Sequence, residues 1–388
     1  KLFYVKILSI SNLNMNNIRT VKGGVNLKGK IKVPGDKSIS HRALILAALS
    51  VGETKISNLL ESDDVLRTVQ ILKDLGINIQ KKDTKWIVKG NGTCGFFEPN
   101  NALDCGNSGT TARLMIGAVS SNPIKCTFIG DRSLQKRSMS RVTNYLIDVG
   151  AEVSLTNNDY LPLMIRGNEN LLPKKHKIIT ASAQIKSALL LSGLNIHGKT
   201  QVVETRPTRD HTERLMKYLN VKFKIKKSNK GKTTIELNGP YEINAKNLQV
   251  ASDPSSAAFF IVGALITPDS EIKLNNILLN PSRIAFIDVL KKMGANIKVK
   301  KTKKICGENV GEIIAKYSHL NGINIKASLS PLIIDEYPIL AIAATQAKGK
   351  TTMKGLGELR HKESDRINSI VSNLKKLNFD IDTNNDNI

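Results

Sequence analysis

Pro34-Gly35-Asp36-Lys37-Ser38-Ile39-Ser40-His41-Arg42 runs straight into the apolar stretch Ala43–Leu49. A Pro-Gly turn here delivers a lysine, two serines and an arginine to a predicted helix start. Ser38 is suited to be the N-cap, because its hydroxyl can accept one of the free backbone N–H groups. Ser38 and Arg42 lie four apart and so share a helix face. The free N–H groups carry partial positive charge, and Lys37 and Arg42 add full charges, which together make a site for a phosphate or carboxylate. A solvated, capped helix start would use the same residue types. The helix that follows, however, is apolar on all sides and therefore buried, so its polar end is expected to open into a cleft.

Moving outward, the same kind of helix returns. Apolar helices are predicted near residues 40–49, 110–119, 185–194, 256–265 and 338–347, each followed by a turn and a strand. Between them runs an amphipathic helix, a Gly or Asn pivot, and a short β-branched strand. The pivots are Gly76, Gly150, Asn220, Gly294 and Asn378, residues suited to a left-handed helix C-cap. The repeating unit has a period of about 70–85 residues, longer than the common solenoid repeats. Five copies are visible and the polar tail 380–388 follows the fifth, so a sixth copy is expected beyond Ile388. The buried helices begin with Lys37–Arg42, Asn107–Arg113, Ser182–Ser187, Ser252–Ser256 and Asp335–Pro338. Arranged about pseudo-threefold axes, several of these starts would share one cleft and suit a multiply anionic ligand.

Composition narrows the classes. A chain of 388 residues suggests two domains or more. No apolar run reaches the ~20 residues of a membrane-spanning helix. Cys94, Cys105, Cys126 and Cys306 are widely spaced, which argues against a disulfide framework or a zinc site and fits a reducing compartment. The formal charge of +25 admits nucleic-acid binding, but the lysines are spread along the whole chain and aromatics are only 4%, too few for base-stacking platforms. An anionic small substrate, drawn in by the field, fits better. Residues 1–14 precede Met15 and show no signal-peptide pattern; they are expected to be a leader outside the fold.

Five motifs now carry a resemblance: Pro34–Arg42, Gly106-Asn107-Ser108-Gly109-Thr110, Ser182-Ala183-Gln184-Ile185-Lys186-Ser187, Asp335-Glu336-Tyr337-Pro338 and Lys362-Glu363-Ser364-Asp365-Arg366. In order and spacing, from about Val21 to the end, they resemble the 5-enolpyruvylshikimate-3-phosphate synthase family. The resemblance implies a two-domain α/β fold, the inverse α/β barrel of enolpyruvyl transferases, built from βαβαββ units with pseudo-threefold symmetry, five of the six complete here. It implies one continuous domain, 36–249, and one discontinuous domain, 15–35 plus 250–388, with hinges near 34–36 and 248–252. The implied reaction moves the enolpyruvyl group of phosphoenolpyruvate to the 5-hydroxyl of shikimate 3-phosphate and releases phosphate. It needs no metal and no organic cofactor. The implied setting is a cytoplasmic monomer acting on small molecules, with no nucleic acid and no membrane, and a target of glyphosate.

The same resemblance assigns residues. Lys37 contacts both substrates and helps move protons. Ser38, Arg42, Ser182, Ala183 (through its backbone), Gln184, Arg209, Asp335 and Lys362 hold shikimate 3-phosphate. Asn107, Gly109, Thr110, Arg137, Gln184 and Arg366, with Lys37, hold phosphoenolpyruvate. Asp335 is the base for the 5-hydroxyl and Glu363 the acid for C3. Asp335 as a helix cap, or Glu363 and Arg366 as a surface pair, are the plainer readings. His41 and His211 read as structural, Trp86 as a core or strand residue, and Asp63-Asp64 as a cap for the helix from Val65. Ser138 stands where the family usually has proline, which is expected to loosen the loop 130–141. The family's later Asp-His-Arg segment and a lysine are not in this sequence, so the chain as it stands is expected to bind phosphoenolpyruvate weakly and to be inactive, and a longer form to be active. The alternatives are a cell-wall enolpyruvyl transferase acting on a UDP-amino sugar, whose mobile loop often carries a cysteine that 130–141 lacks, and a basic RNA-processing relative of the fold.

Overall fold

The computed structural model describes residues 25–228 and 231–388; the expected leader 1–14 lies outside them. Eleven α-helices occur in the described residues: α1 (Lys37–Ala48), α2 (Asp63–Asp74), α3 (Gly109–Val119), α4 (Ser140–Ile147), α5 (Ala183–Gly193), α6 (His211–Tyr218), α7 (Pro254–Ile266), α8 (Ala285–Lys292), α9 (Ser330–Ile333), α10 (Tyr337–Thr345) and α11 (Arg366–Lys376). The buried helices of the repeat are α1, α3, α5, α7 and α10, and the amphipathic ones are α2, α4, α6, α8 and α11. In α1 every residue from Ile39 to Ala48 is buried, because α2, α3 and α6 pack around it. Leu44, Ile45 and Leu46 are each fully enclosed, worth about 2 kcal/mol apiece. By contrast α2 buries one stripe, Val65, Thr68, Val69, Ile71 and Leu72. The pivots adopt the left-handed conformation, with φ of 85° at Gly76 and 64° at Asn220.

The second, third and fourth units each build a four-stranded layer with one parallel and two antiparallel pairings, and the first adds a second short parallel strand. In the second unit Leu103–Asp104 runs parallel to Lys125–Ile129, and Tyr160–Arg166 and Glu152–Thr156 follow antiparallel. The third unit repeats this with Lys175–Ile178, Gly198–Glu204, Thr233–Gly239 and Phe223–Lys227. The first and fourth units borrow their parallel strand from elsewhere in the chain. Ile243–Asn244 and Leu248–Gln249 lie along Ser50–Ser57, whereas Lys28–Ile31 lies along Glu271–Leu278. The fifth unit has its two helices and the parallel pairings of Leu320–Asn321 with Ala347–Lys348 and Asn324–Ile325 with Thr352–Met353. Ile388 then exchanges two backbone hydrogen bonds with Met353.

Two apolar cores result. The first gathers residues from Ile39 to Ala251, with Leu278, Ile305, Cys306 and Val310 joining it from the other lobe. The second gathers Val33 and residues from Ala257 to Leu374. The chain crosses between the lobes at Pro34–Asp36 and Ala251–Asp253. There Asp36 donates its N–H to the Ala251 carbonyl at 2.8 Å, and Asp253 donates to that of Pro34 at 2.9 Å. Gly35 is required at this crossing: a Cβ would sit 2.0 Å from the Asn58 carbonyl oxygen. Among the described residues no single helix is long and apolar enough to cross a membrane, and all four cysteines are free.

Candidate active site

The helix start quoted first is capped differently from the sequence expectation. Asp36 is the N-cap of α1 and accepts the Ile39 N–H at 2.8 Å; Ser38 lies inside the first turn, and its carbonyl accepts from Arg42 Nη1. Placing the cap one residue before the lysine makes Lys37 the first helical residue. Lys37 forms an ion pair with Asp64. Asp64 was expected only to cap α2, yet the first turn of α2 points it at the lysine.

Arg42 is turned inward. Its guanidinium donates to Thr212 Oγ1 and Ser187 Oγ, both at 2.8 Å, and only 4% of the residue is exposed. Burial pulls its pKa down to about 10. Arg42 therefore braces α1 against α5 and α6, and a phosphate could reach it only with those hydroxyls.

The starts of α3 and α5 do meet. Ser108 and Ser182 cap their helices through Thr111 and Ile185. Gln184 Nε2 donates to Thr110 Oγ1 at 3.0 Å, and Gln184 Oε1 accepts from Arg113 Nη1 at 2.7 Å. Arg113 stands in the quoted run Asn107–Arg113 but was not singled out; its spacing of four from Gly109 was the available signal. Gly109 leaves little room, since a Cβ there would lie 3.2 Å from Arg113 Nη1 and 3.3 Å from Arg137 Nη1. Arg137 Nη2 donates to Asn107 Oδ1 at 2.5 Å, while its Nε is buried without a partner among the described residues. Arg113 Nη2 donates to the Ser138 carbonyl, and the Ser138 hydroxyl donates to Asp159, so the loop is tied down at this serine.

From the other lobe come Asp335, Lys362, Glu363 and Arg366. Arg209 Nη2 bonds Asp335 Oδ2 across the cleft at 2.8 Å, and Lys362 and Arg366 lie 3.4 and 3.3 Å from Asp335 Oδ1. Arg366 also holds Glu363 at 2.7 Å, and Arg137 approaches Glu363 at 3.9 Å. The Ser133 hydroxyl donates to the Glu363 carbonyl, a third bridge between lobes. Burial pushes the Asp335 carboxyl up, but Arg209 and Lys362 outweigh it and hold the group far below the carboxylate range. Burial likewise raises Glu363, and its own backbone N–H together with Arg366 and Arg137 brings it below its ordinary value. Asp335 caps nothing: the N-cap position of α10 is Glu336, in helical conformation and without a side-chain cap bond. Asp365 caps α11.

Two expected cleft elements face the hinge instead. The start of α7 places Asp253 on Arg283, and Glu336 accepts from Ser255. Arg283 also pairs with the fully buried Asp36 at 2.5 Å. His211, Glu308 and Asp210 cluster nearby and could be read as metal ligands. Arg214 sits 2.8 Å from Asp210 and 3.4 Å from Glu308, so a cation already occupies the electrostatic centre of this group. His41 is buried, with Nδ1 2.7 Å from Thr68 Oγ1.

The model of one family, EPSP synthase (3-phosphoshikimate 1-carboxyvinyltransferase), matches residues 21–388. The 3-phosphoshikimate 1-carboxyvinyltransferase of Zymomonas mobilis is 44% identical over 363 residues, covering 93% of this chain and 80% of the relative. The enzyme of that name from Petrotoga mobilis is 46% identical over 359 residues, covering 92% and 82%. A solved structure of EPSP synthase from Acinetobacter baumannii superposes with a TM-score of 0.83 at 39% identity, covering 94% of this chain and 81% of that one.

Proposed function

The chain belongs to the EPSP synthase family, and we propose that its cleft performs the family's reaction with the residues gathered between the two lobes. The protein is a transferase of the shikimate pathway to aromatic amino acids, moving an enolpyruvyl group from phosphoenolpyruvate to shikimate 3-phosphate. The UDP-amino sugar and RNA-processing alternatives are not favoured, since the relatives carry the shikimate enzyme's name.

The observation that carries the assignment of roles is the chain of contacts Arg137–Glu363–Arg366–Asp335–Arg209, which runs from one lobe to the other and back. Without substrate, cations and carboxylates neutralise one another. Substrate anions would take the cations: Arg137, Arg366 and Lys37 those of phosphoenolpyruvate; Arg209, Lys362, Ser182, Gln184 and the Ala183 backbone those of shikimate 3-phosphate. Each cation drawn away from Asp335 and Glu363 raises the proton affinity of that carboxyl. Asp335 then accepts the proton of the 5-hydroxyl as its oxygen bonds to C2, while a protonated Glu363 delivers a proton to C3. In the second half the C2–O bond to phosphate breaks, C3 returns a proton to Glu363, and the leaving phosphate departs with the proton that Asp335 took from the hydroxyl. Lys37, held by Asp64, stands by charge between the two anions. Ser38 and Asn107 complete the walls of the two subsites, and the plain Cα of Gly109 leaves room for phosphoenolpyruvate beside the two arginines.

Two further readings rest on the fold. The domain division 15–35 plus 250–388 against 36–249 is supported by the two separate cores and the paired crossings at Gly35 and Ser252. A monomer in the cytoplasm, acting on two small molecules, fits a site that needs no second chain. The test is phosphate release from phosphoenolpyruvate with and without shikimate 3-phosphate, on this chain and on one extended to the length of its relatives. Shikimate-dependent release from the extended chain is expected; release indifferent to shikimate 3-phosphate would remove the proposal.

A further inference from the structure

Helix α6 has different company at its two ends. Arg209, just before it, reaches Asp335 in the cleft. Tyr218, its last residue, lines a separate cavity of about 420 Å³, and eight helical residues put about 12 Å between the two ends. The cavity straddles the lobes. Lys55 and Lys85 face it from the first unit's layer; Ser57 stands opposite Lys85, which puts Lys55, two residues away, on the same face. Lys303 and Lys304 line it from the hairpin of strands Asn296–Ile305 and Glu308–Lys316 in the other lobe; consecutive in regular register, they lie on opposite faces of the strand, with Lys303 on the face of Ile305, which also lines the cavity.

No residue lining this cavity is acidic. Among the described residues only Lys55 of the four has a carboxylate within ion-pair range, Glu53 at 3.8 Å. The hairpin is shaped for the arrangement. Its register slips between Lys301 and Lys303, a bulge of the kind that re-aims side chains. Its tip, Cys306–Gly307, has φ of 45° and 84°, a tight two-residue turn. Cys306 Sγ accepts the Gln249 N–H at 3.2 Å, and the Gly307 carbonyl accepts from Arg214 on α6. The lysines from the two lobes are thus held around one concavity, where like charges repel.

We propose that this cavity is a second anion site, for an oligophosphate chain, distinct from the substrate cleft. Its volume falls in the range of small-molecule sites. Three lysines on the cavity side, Lys55, Lys85 and Lys303, with no carboxylate in the lining, match several phosphate groups rather than one. Recognition is of the phosphates, free or carried on a nucleoside, because Lys246 Nζ already covers the Tyr218 ring at 4.2 Å and leaves that face closed to a base. Drawing on both lobes beside the crossings, the bound chain bridges them.

The experiment is calorimetric titration with sodium tripolyphosphate at constant ionic strength, on the wild type, the Lys303→Ala/Lys304→Ala double variant and an Arg366→Ala variant. Both lysines are exposed, so the double variant should keep its melting temperature and, made in the extended chain, its enolpyruvyl transfer. It should lose at least tenfold in tripolyphosphate affinity, while Arg366→Ala retains the site. A nucleoside triphosphate that binds equally well shows that the phosphate chain is read alone; tighter binding identifies the nucleoside form as the source. Affinity unchanged in the double variant, lost only in Arg366→Ala, or reproduced by inorganic phosphate at matched ionic strength would overturn the proposal. So would a single-stranded oligonucleotide that displaces tripolyphosphate at lower concentration.

Discussion

Asp36 and Lys37 are neighbours in the chain but belong to two charge clusters of opposite character. Asp36 has no exposed surface and is locked to Arg283, which also holds Asp253. Lys37 and the cations around Asp335 keep a quarter or more of their side chains in water, Arg209 slightly less. At the hinge the charges are satisfied and sealed, so they fix geometry. In the cleft they are satisfied by partly exposed carboxylates, which under the proposed mechanism give way to substrate anions. Burial, more than residue type, separates an arginine that positions a domain from one that binds a ligand.

The largest effect should come from unsealing the hinge. Arg283→Met leaves two buried carboxylates unpaired and should cost about 3–5 kcal/mol of stability, read by urea unfolding. Arg366→Met should cost less than about 1 kcal/mol, because its pairs are partly exposed, yet lower kcat/KM by about 10²–10³-fold. Equal stability losses would break the comparison. Next, Asp335→Asn should reduce kcat by about 10²–10⁴-fold with little change in melting temperature; a kcat within threefold of wild type would remove Asp335 as the base. Gly109→Ala places a methyl group between Arg113 and Arg137 and should raise the KM for phosphoenolpyruvate about tenfold, or ~1.4 kcal/mol. It should also weaken inhibition by glyphosate, and unchanged values for both would show that the guanidinium groups simply move aside.

A last effect shows only in acid and concerns His41. Burial, with Lys37 and Arg42 nearby, lowers its pKa to about 3, below the ~6.5 of an unfolded chain. The unfolded state therefore binds more protons between these values. The stability is fully present above about pH 6.5 and is lost as pH falls toward 3, at no more than about 1.4 kcal/mol per pH unit. His41→Asn should flatten the stability profile between pH 6.5 and 4.5. Asp36, held near 2 by Arg283 against burial, acts lower: its contribution is present above about pH 3.9 and is lost as pH falls toward 2, so the two windows overlap only between about pH 3 and 3.9.

The repeat and its order of elements were legible in the chain because helix and strand periods and the Gly or Asn pivots are local properties. Buried helices were recognisable for the same reason, since an all-apolar helix has nowhere else to go. Arg209, Asp335 and Arg366 were named before their contacts were known, through motifs that sit next to helix starts. What sequence reasoning missed depended on which way a side chain turned. Asp64 reads as a cap in the sequence, whereas the folded α2 pairs it with Lys37. Arg42 reads as a ligand-binding cation, whereas α5 and α6 close over it. Arg113 has no local signal beyond its spacing from Gly109, because only packing brings it to Gln184.

The sequence by itself determined the repeated unit, the class of fold, the family and most of the residues around the cleft. Those depend on interactions between residues close together in the chain, or on motifs short enough to be seen whole. Tertiary structure alone decided the rest: that the first and fourth units take their parallel strands from distant segments, that Asp36 pairs with Arg283 while Lys37 pairs with Asp64, and that lysines from two lobes line one cavity. Each of these joins residues up to some 250 positions apart, as Arg283 and Asp36 are at a separation of 247. Such partners are selected by packing and charge in the folded molecule, and no local pattern records them.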